Sequence, residues 1–174
     1  MKRSILAAAV TLSLAACGGT TPGGGLGQSN GCSVTLSGAQ TGTYDCHSAF
    51  AIWDATKNQG GFTFSVSAGG TTPQITVAIE FTGEPHSGTI SNTDTGASGG
   101  LTVYLSSGGS GTYWAALTDT SNSQGSYSLK FSGVSTTYST TSGKTYNTDG
   151  TLDATMPAVS GTSATGTVTL HATF

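Results

Sequence analysis

The residues of this chain that could carry chemistry are few: three histidines, eight acids and three cysteines among 174 residues. The closest approach to an ion loop is "YNTDGTLDATM", where Asn147, Asp149 and Asp153 surround Gly150. Oxygen ligands at alternating positions suit Ca²⁺. An EF-hand loop would begin on an acid and end on Glu, and Thr145 and Met156 stand at those places. The same "NTDG" also reads as a tight turn, because Asp-Gly supplies the positive φ a hairpin turn needs. "FTGEPHSG" places Glu84 and His86 around Pro85, a carboxylate and an imidazole without further ligands beside them. His171 falls on the Thr face of a final apolar-alternating segment, and His47 flanks Cys46. Both read as solvated strand residues.

No G-x-S-x-G, H-E-x-x-H or P-loop pattern occurs. Glycoside hydrolysis would need two carboxylates facing each other across a cleft. Asp54, Asp94, Asp119 and Asp149 read as turn residues, and Glu80 lies opposite an apolar face. Two tryptophans offer a binding route instead. Trp53 ends a strand-like segment, and Trp114 is out of phase with Tyr113, Ala115 and Leu117. If Tyr113 points inward, Trp114 is exposed on a Ser/Thr-rich sheet, as a platform for a sugar ring. If the phase is reversed, Trp114 belongs to the core.

The elements that must position these residues are strands. "QITVAIEFTG" sets Ile75, Val77, Ile79 and Phe81 on one side and Gln74, Thr76, Ala78, Glu80 and Thr82 on the other. The same alternation marks Phe62, Phe64 and Val66, then Leu101, Val103 and Leu105, then Tyr127, Leu129 and Phe131, then Val168, Leu170, Ala172 and Phe174. Period-two alternation of this kind signals half-buried strands, and Thr and Val suit a pleated surface. Segments near 32–37, 43–53, 61–68, 74–82, 87–91, 101–106, 112–118, 126–134, 145–156 and 164–174 qualify, for about eight or nine real strands. Gly-rich stretches such as "SAGGTTPQ", "SSGGSG" and "DTSNSQG" separate them. The expectation is an all-β antiparallel sandwich, or a small barrel, over residues 32–174.

Charged residues make up only 7% of the chain. Without Lys2 and Arg3, three lysines face eight acids, a net charge of −5. Nothing in that balance tracks phosphates, which excludes nucleic acid as an expected partner. No cofactor is called for.

The start of the chain speaks to location. Met1-Lys2-Arg3 is basic, and Ile5 to Ala16 is almost entirely apolar or small. That is a signal-peptide layout, too short for the roughly 20 apolar residues of a membrane span. "LSLAACGG" then closes the run on Leu14-Ala15-Ala16-Cys17. This resembles the lipobox of bacterial lipoproteins. The resemblance implies cleavage before Cys17, a diacylglycerol on its thiol and acylation of its new amino group. Gly18, in place of Asp, implies the outer membrane. Each buried CH₂ is worth about 0.8 kcal/mol, so two or three chains hold firmly. Residues 1–16 are then the signal peptide. Residues 17–31 are the lipidated Cys and a Gly-rich linker with an r.m.s. span of about 20 Å.

Cys32 and Cys46 remain, centred on residue 39 between Gly38 and Gly42. A hairpin turning there sets Val34 opposite Tyr44 and Cys32 opposite Cys46. Export favours a disulfide between them, worth about 3 kcal/mol for a loop of this length. The final third, "YSLKFSGV…GTLDATMPAVSGTSATGTVTLHATF", is similar to the end of small β-rich lipoproteins, which implies a fold and no activity. The terminal Phe also resembles the last strand of outer-membrane barrels. Barrel strands are about 9–11 residues long, with aromatic girdles, and aromatics here are only 8%.

The expected function is therefore a lipid-anchored, non-enzymatic envelope protein that binds a glycan or a protein or serves a structural role. The alternatives are an envelope hydrolase acting on polysaccharide, or an inhibitor or assembly partner of another envelope protein. Mass spectrometry of the mature protein tests the anchor: the expected N-terminus is Cys17 carrying acyl chains, and an unmodified Cys17 refutes it.

Overall fold

A computed structural model describes residues 31–67, 72–107, 110–118 and 124–174. Residues 1–30, with Cys17 and the signal segment, lie outside it, as do Asp119 and much of the three Gly-rich turns. Every regular element among the described residues is a strand. In chain order they are β1 (Ser33–Gly38), β2 (Gly42–Asp45), β3 (His47–Asp54), β4 (Gln59–Val66), β5 (Gln74–Thr82), β6 (Gly88–Ser91), β7 (Ser98–Ser107), β8 (Ser110–Thr118), β9 (Ser126–Ser139), β10 (Gly143–Pro157) and β11 (Thr167–Thr173).

All eleven belong to one antiparallel sheet, ordered β2-β1-β11-β10-β3-β4-β5-β7-β8, with β9 paired to β10 and β6 to β9. The sheet is folded over on itself into a sandwich and is not closed. The fold occurs along β10. One edge of this strand pairs with β9 from Lys144 to Thr155. The other edge pairs with β3 over Gly143–Tyr146 and then with β11 over Thr151–Pro157. Its first part thus belongs to the β3-β4-β5-β7-β8 layer and its last part to the β2-β1-β11 layer.

β9 follows this turn by carrying an extra residue at two places, Ser132 and Thr137, where the register against β10 shifts. A bulge of this kind bends a strand and sharpens its twist, which a 14-residue strand needs to pass from one layer to the other. "NTDG" therefore forms neither a turn nor a loop: it lies inside β10, and Asp149 is a strand residue. Gly150 serves a different purpose. A Cβ there would stand 2.1 Å from the Lys130 carbonyl oxygen and 2.9 Å from the Phe174 ring. Its N–H donates to the Phe174 backbone oxygen at 2.7 Å, and it accepts from the Phe174 N–H at 3.1 Å. The absent side chain is what lets the end of the chain reach the core.

That core joins the two layers through aromatics. Phe62 of β4 lies 5.5 Å from Phe131 of β9 and 4.5 Å from Phe174, centroid to centroid. Phe81 reaches Phe131 at 6.1 Å. The apolar alternation read from the sequence is the buried set: Ile75, Val77, Leu101, Val103, Leu129 and Val168 are each fully buried.

Several boundaries differ from the sequence reading. The segment expected at 43–53 is two strands: β2 pairs with β1, whereas β3 leaves to pair with β4 and β10. Cys46 stands between them, its N–H donating to the Cys32 carbonyl at 3.2 Å. Cys32 and Cys46 are paired with a Cα–Cα distance of 5.2 Å, and Val34 faces Tyr44 as expected. β9 runs on past its apolar pattern to Ser139, and that outer end is exposed on both faces.

Phe62 is 1% exposed and touches both layers. Phe62→Ala is expected to cost about 3–5 kcal/mol, measured as a lower urea midpoint with an unchanged slope. A cost below ~1 kcal/mol is incompatible with the aromatic cluster as the junction of the layers.

Candidate functional site

The outward face of the β2-β1-β11-β10-β9-β6 layer is a field of hydroxyls. Outward residues follow from the inward ones: β11 buries Val168, Leu170 and Ala172 and exposes Thr167, Thr169, His171 and Thr173. Antiparallel register then lines up side chains across neighbouring strands. Thr43 faces Thr35, Thr35 faces His171, His171 faces Asp153, Asp153 faces Ser128 and Ser128 faces Ser91. The next row is Ser37, Thr169, Thr155 and Ser126. Neighbouring strands lie about 4.8 Å apart, so each row is a ladder of polar groups at that interval. Within it Ser37 and Thr169 hydroxyls bond at 2.5 Å and Thr35 and Thr43 hydroxyls at 3.3 Å.

A shallow cavity of about 520 Å³ lies over these rows, lined by Thr35, Ser37, Ser126, Ser128, Asp153, Thr155, Thr169 and His171 among others. Within its lining His171 Nδ1 meets Asp153 Oδ1 at 2.6 Å. Both side chains remain more than half exposed, at 54% and 62%. The carboxylate fixes the ring tautomer, because an ionised Asp153 only accepts and Nδ1 must therefore carry the proton. When the ring is neutral, Nε2 is left as an acceptor. The backbone groups beside this pair are spent on the ladders of β10 with β9 and β11.

This pairing joins two residues that the sequence reading kept apart. The sequence pattern sets Asp153 with Asn147 and Asp149 as a cation candidate. On an extended strand Asp153 stands about 14 Å from Asp149 at roughly 3.4 Å per residue, and it engages His171 instead. Among the described residues no group of three or more His, Cys, Asp or Glu gathers to hold a metal.

Trp114 points inward. It is 2% exposed and sits opposite Val103, and its indole N–H donates to the Thr165 carbonyl at 3.2 Å. Tyr113 is the outward residue, edge-on to Tyr104 at 6.2 Å. The exposed-platform alternative for Trp114 is thus overturned in favour of the core one. The reason is phase: with Leu101 and Val103 facing inward, their partners Ala116 and Trp114 must do so too.

Trp53 is only partly buried, but its ring is occupied. Lys144 Nζ lies 5.2 Å from the ring centroid, within the range of a cation–π contact. The same ammonium donates to Glu84 Oε1 at 2.8 Å, and the Tyr146 hydroxyl donates to that oxygen as well. Glu84 therefore clamps the β5–β6 turn onto β10. Hydrogen bonds from Lys144 and Tyr146 hold its carboxyl below the usual range, while burial and Glu84 raise the Tyr146 phenol well above its ordinary value. His86, its companion in the sequence, bonds only to the Glu84 carbonyl at 2.9 Å. Tyr138 is the exposed large hydrophobic of the described residues, at 65%, near the tip of the β9–β10 hairpin.

No known family model, curated protein or solved structure matches this chain.

The clamp makes a pH-dependent prediction. Because the Glu84 carboxyl is depressed on folding, its contribution is full above the ordinary carboxylate value of about 4.3 and fades as pH falls through the folded value. Glu84→Gln is expected to lower Tm at pH 7, with the gap to the wild type closing as the pH is lowered below about 4. Thermal scans across pH check it, and a gap that widens in acid refutes the clamp.

Proposed function

We propose that this is a lipid-anchored protein of the bacterial cell envelope, outer membrane included, whose β-sandwich binds a glycan of that envelope. Acyl chains on Cys17 make the attachment, and residues 18–31 give the domain reach from the membrane. The observation that carries the binding part is the Asp153–His171 groove: a cavity of about 520 Å³ on an exposed sheet face, with six Ser and Thr residues around one carboxylate–imidazole pair. Hydroxyls, a carboxylate and an imidazole are the groups that hydrogen-bond a polyhydroxylated ligand.

Binding is favoured over hydrolysis by the composition of the same groove. Its lining holds one carboxylate, Asp153, whereas glycoside cleavage in most families uses two. The pair is also open to water, where electrostatic stabilisation of a transition state is much diminished.

The full chain is expected to be retained by isolated cell-envelope polysaccharide and to score on a glycan array. Asp153→Ala and His171→Ala should abolish retention while shifting stability by no more than about 1 kcal/mol, the ordinary worth of an exposed ion pair. Equal retention of wild type and both variants sinks the groove as the site. Release of reducing ends from the polysaccharide by the wild type, lost in Asp153→Ala, turns the reading into an enzyme.

A further inference from the structure

We infer that the groove takes a neutral, linear glycan laid across the strands and rejects polyanionic polysaccharides. The inference rests on the binding reading above and adds the ligand's charge and shape.

Charge comes first. Asp153 and His171 are the only ionisable groups exposed in the groove lining; Tyr127 also lines it, but its side chain is buried. Their mutual bond uses Asp153 Oδ1 and His171 Nδ1, so the carboxylate's other oxygen is left facing a ligand, and it only accepts. A ligand group placed there must donate, which a sugar hydroxyl does; a uronate, phosphate or sulfate group brings only acceptors and a like charge against the Asp153 carboxylate. Lys130, the nearest lysine in the strand register, stands opposite Thr151 in a neighbouring row, and it does not line the groove. The net charge of −5 without Lys2 and Arg3 disfavours polyanions at longer range as well.

Shape follows from register. The polar row through His171 and Asp153 crosses β2, β1, β11, β10, β9 and β6 with one side chain from each. At about 4.8 Å per strand it offers hydroxyls at regular intervals over a distance far longer than one sugar. A single ring can fill only part of such a row. A chain running across the strands meets an equivalent polar group at each step, and Ser and Thr can donate or accept at every one. No exposed aromatic ring lines the groove, so affinity must accumulate from repeated hydrogen bonds rather than from stacking.

The test uses the full chain with isotope-labelled backbone and side chains, titrated with neutral gluco-oligosaccharides from disaccharide to hexasaccharide and with oligogalacturonates of the same lengths. The neutral series is expected to shift resonances of Thr35, Ser128, Asp153 and His171. Its dissociation constant should fall by roughly tenfold from the shortest to the longest member as further strands add hydrogen bonds. The galacturonates should leave these resonances in place, and Asp153→Asn should relax that rejection. Galacturonate binding as tight as the neutral series, or a disaccharide bound as tightly as a hexasaccharide, overturns this inference and leaves the groove as a glycan site. Silence toward both series, or shifts confined to other residues, overturns the groove reading together with it.

Discussion

The whole molecule depends on β10 belonging to two layers at once. A flat sheet of eleven strands would leave both faces of Phe62, Phe131 and their neighbours half wet. Because one edge of β10 changes partner from β3 to β11, the sheet folds and its two inner faces meet. That change needs a point where β10 can approach other chain segments closely. Gly150 supplies it, with the Lys130 carbonyl and the Phe174 ring where a Cβ would stand. The bulges at Ser132 and Thr137 let β9 follow. Backbone constraint and aromatic burial are therefore one device: the glycine admits Phe174, and Phe174 joins the cluster that holds the layers together.

The same folding decides what is left outside. Once the inner face takes the apolar alternation, the outer face of β1, β11, β10 and β9 is obliged to show the intervening Ser, Thr, Asp and His. Ladder register then places Asp153 beside His171. Neither residue is needed for the core, and both stay largely exposed. The clamp of Glu84, Lys144, Tyr146 and Trp53 contrasts with them. There Glu84 takes both the Lys144 ammonium and the Tyr146 phenol, which ties the β5–β6 turn to β10, and Lys144 covers the Trp53 ring. The first cluster presents free hydrogen-bonding capacity to solvent, and the second spends its carboxylate on its own cation and phenol. That difference separates a candidate ligand surface from a structural tie, although both contain a carboxylate.

Local pattern carried much of the fold. Alternation at period two located the strands because one face of each is buried, and burial is what selects apolar residues at every second place. The hairpin of Cys32 and Cys46 was legible from symmetry about residue 39. Trp114 was not, because a strand read alone does not say which of its two faces is inward. "NTDG" was misleading for a related reason: Asp-Gly favours a turn locally, but the long β9–β10 ladder outweighs one dipeptide's preference, and the glycine is used for its missing side chain.

By itself the sequence determined the strand content, the polar and apolar faces, the cysteine pair and the expectation of export and lipid attachment. Each of these rests on local chemistry or on spacing along one segment. Only the tertiary structure decided that β10 is shared, that Trp114 is core, that Lys144 covers Trp53 and that Asp153 meets His171. The last of these joins residues eighteen positions apart, across a connection whose length does not dictate register. Strand pairing is set by how the layers pack, and packing is a property of the whole chain.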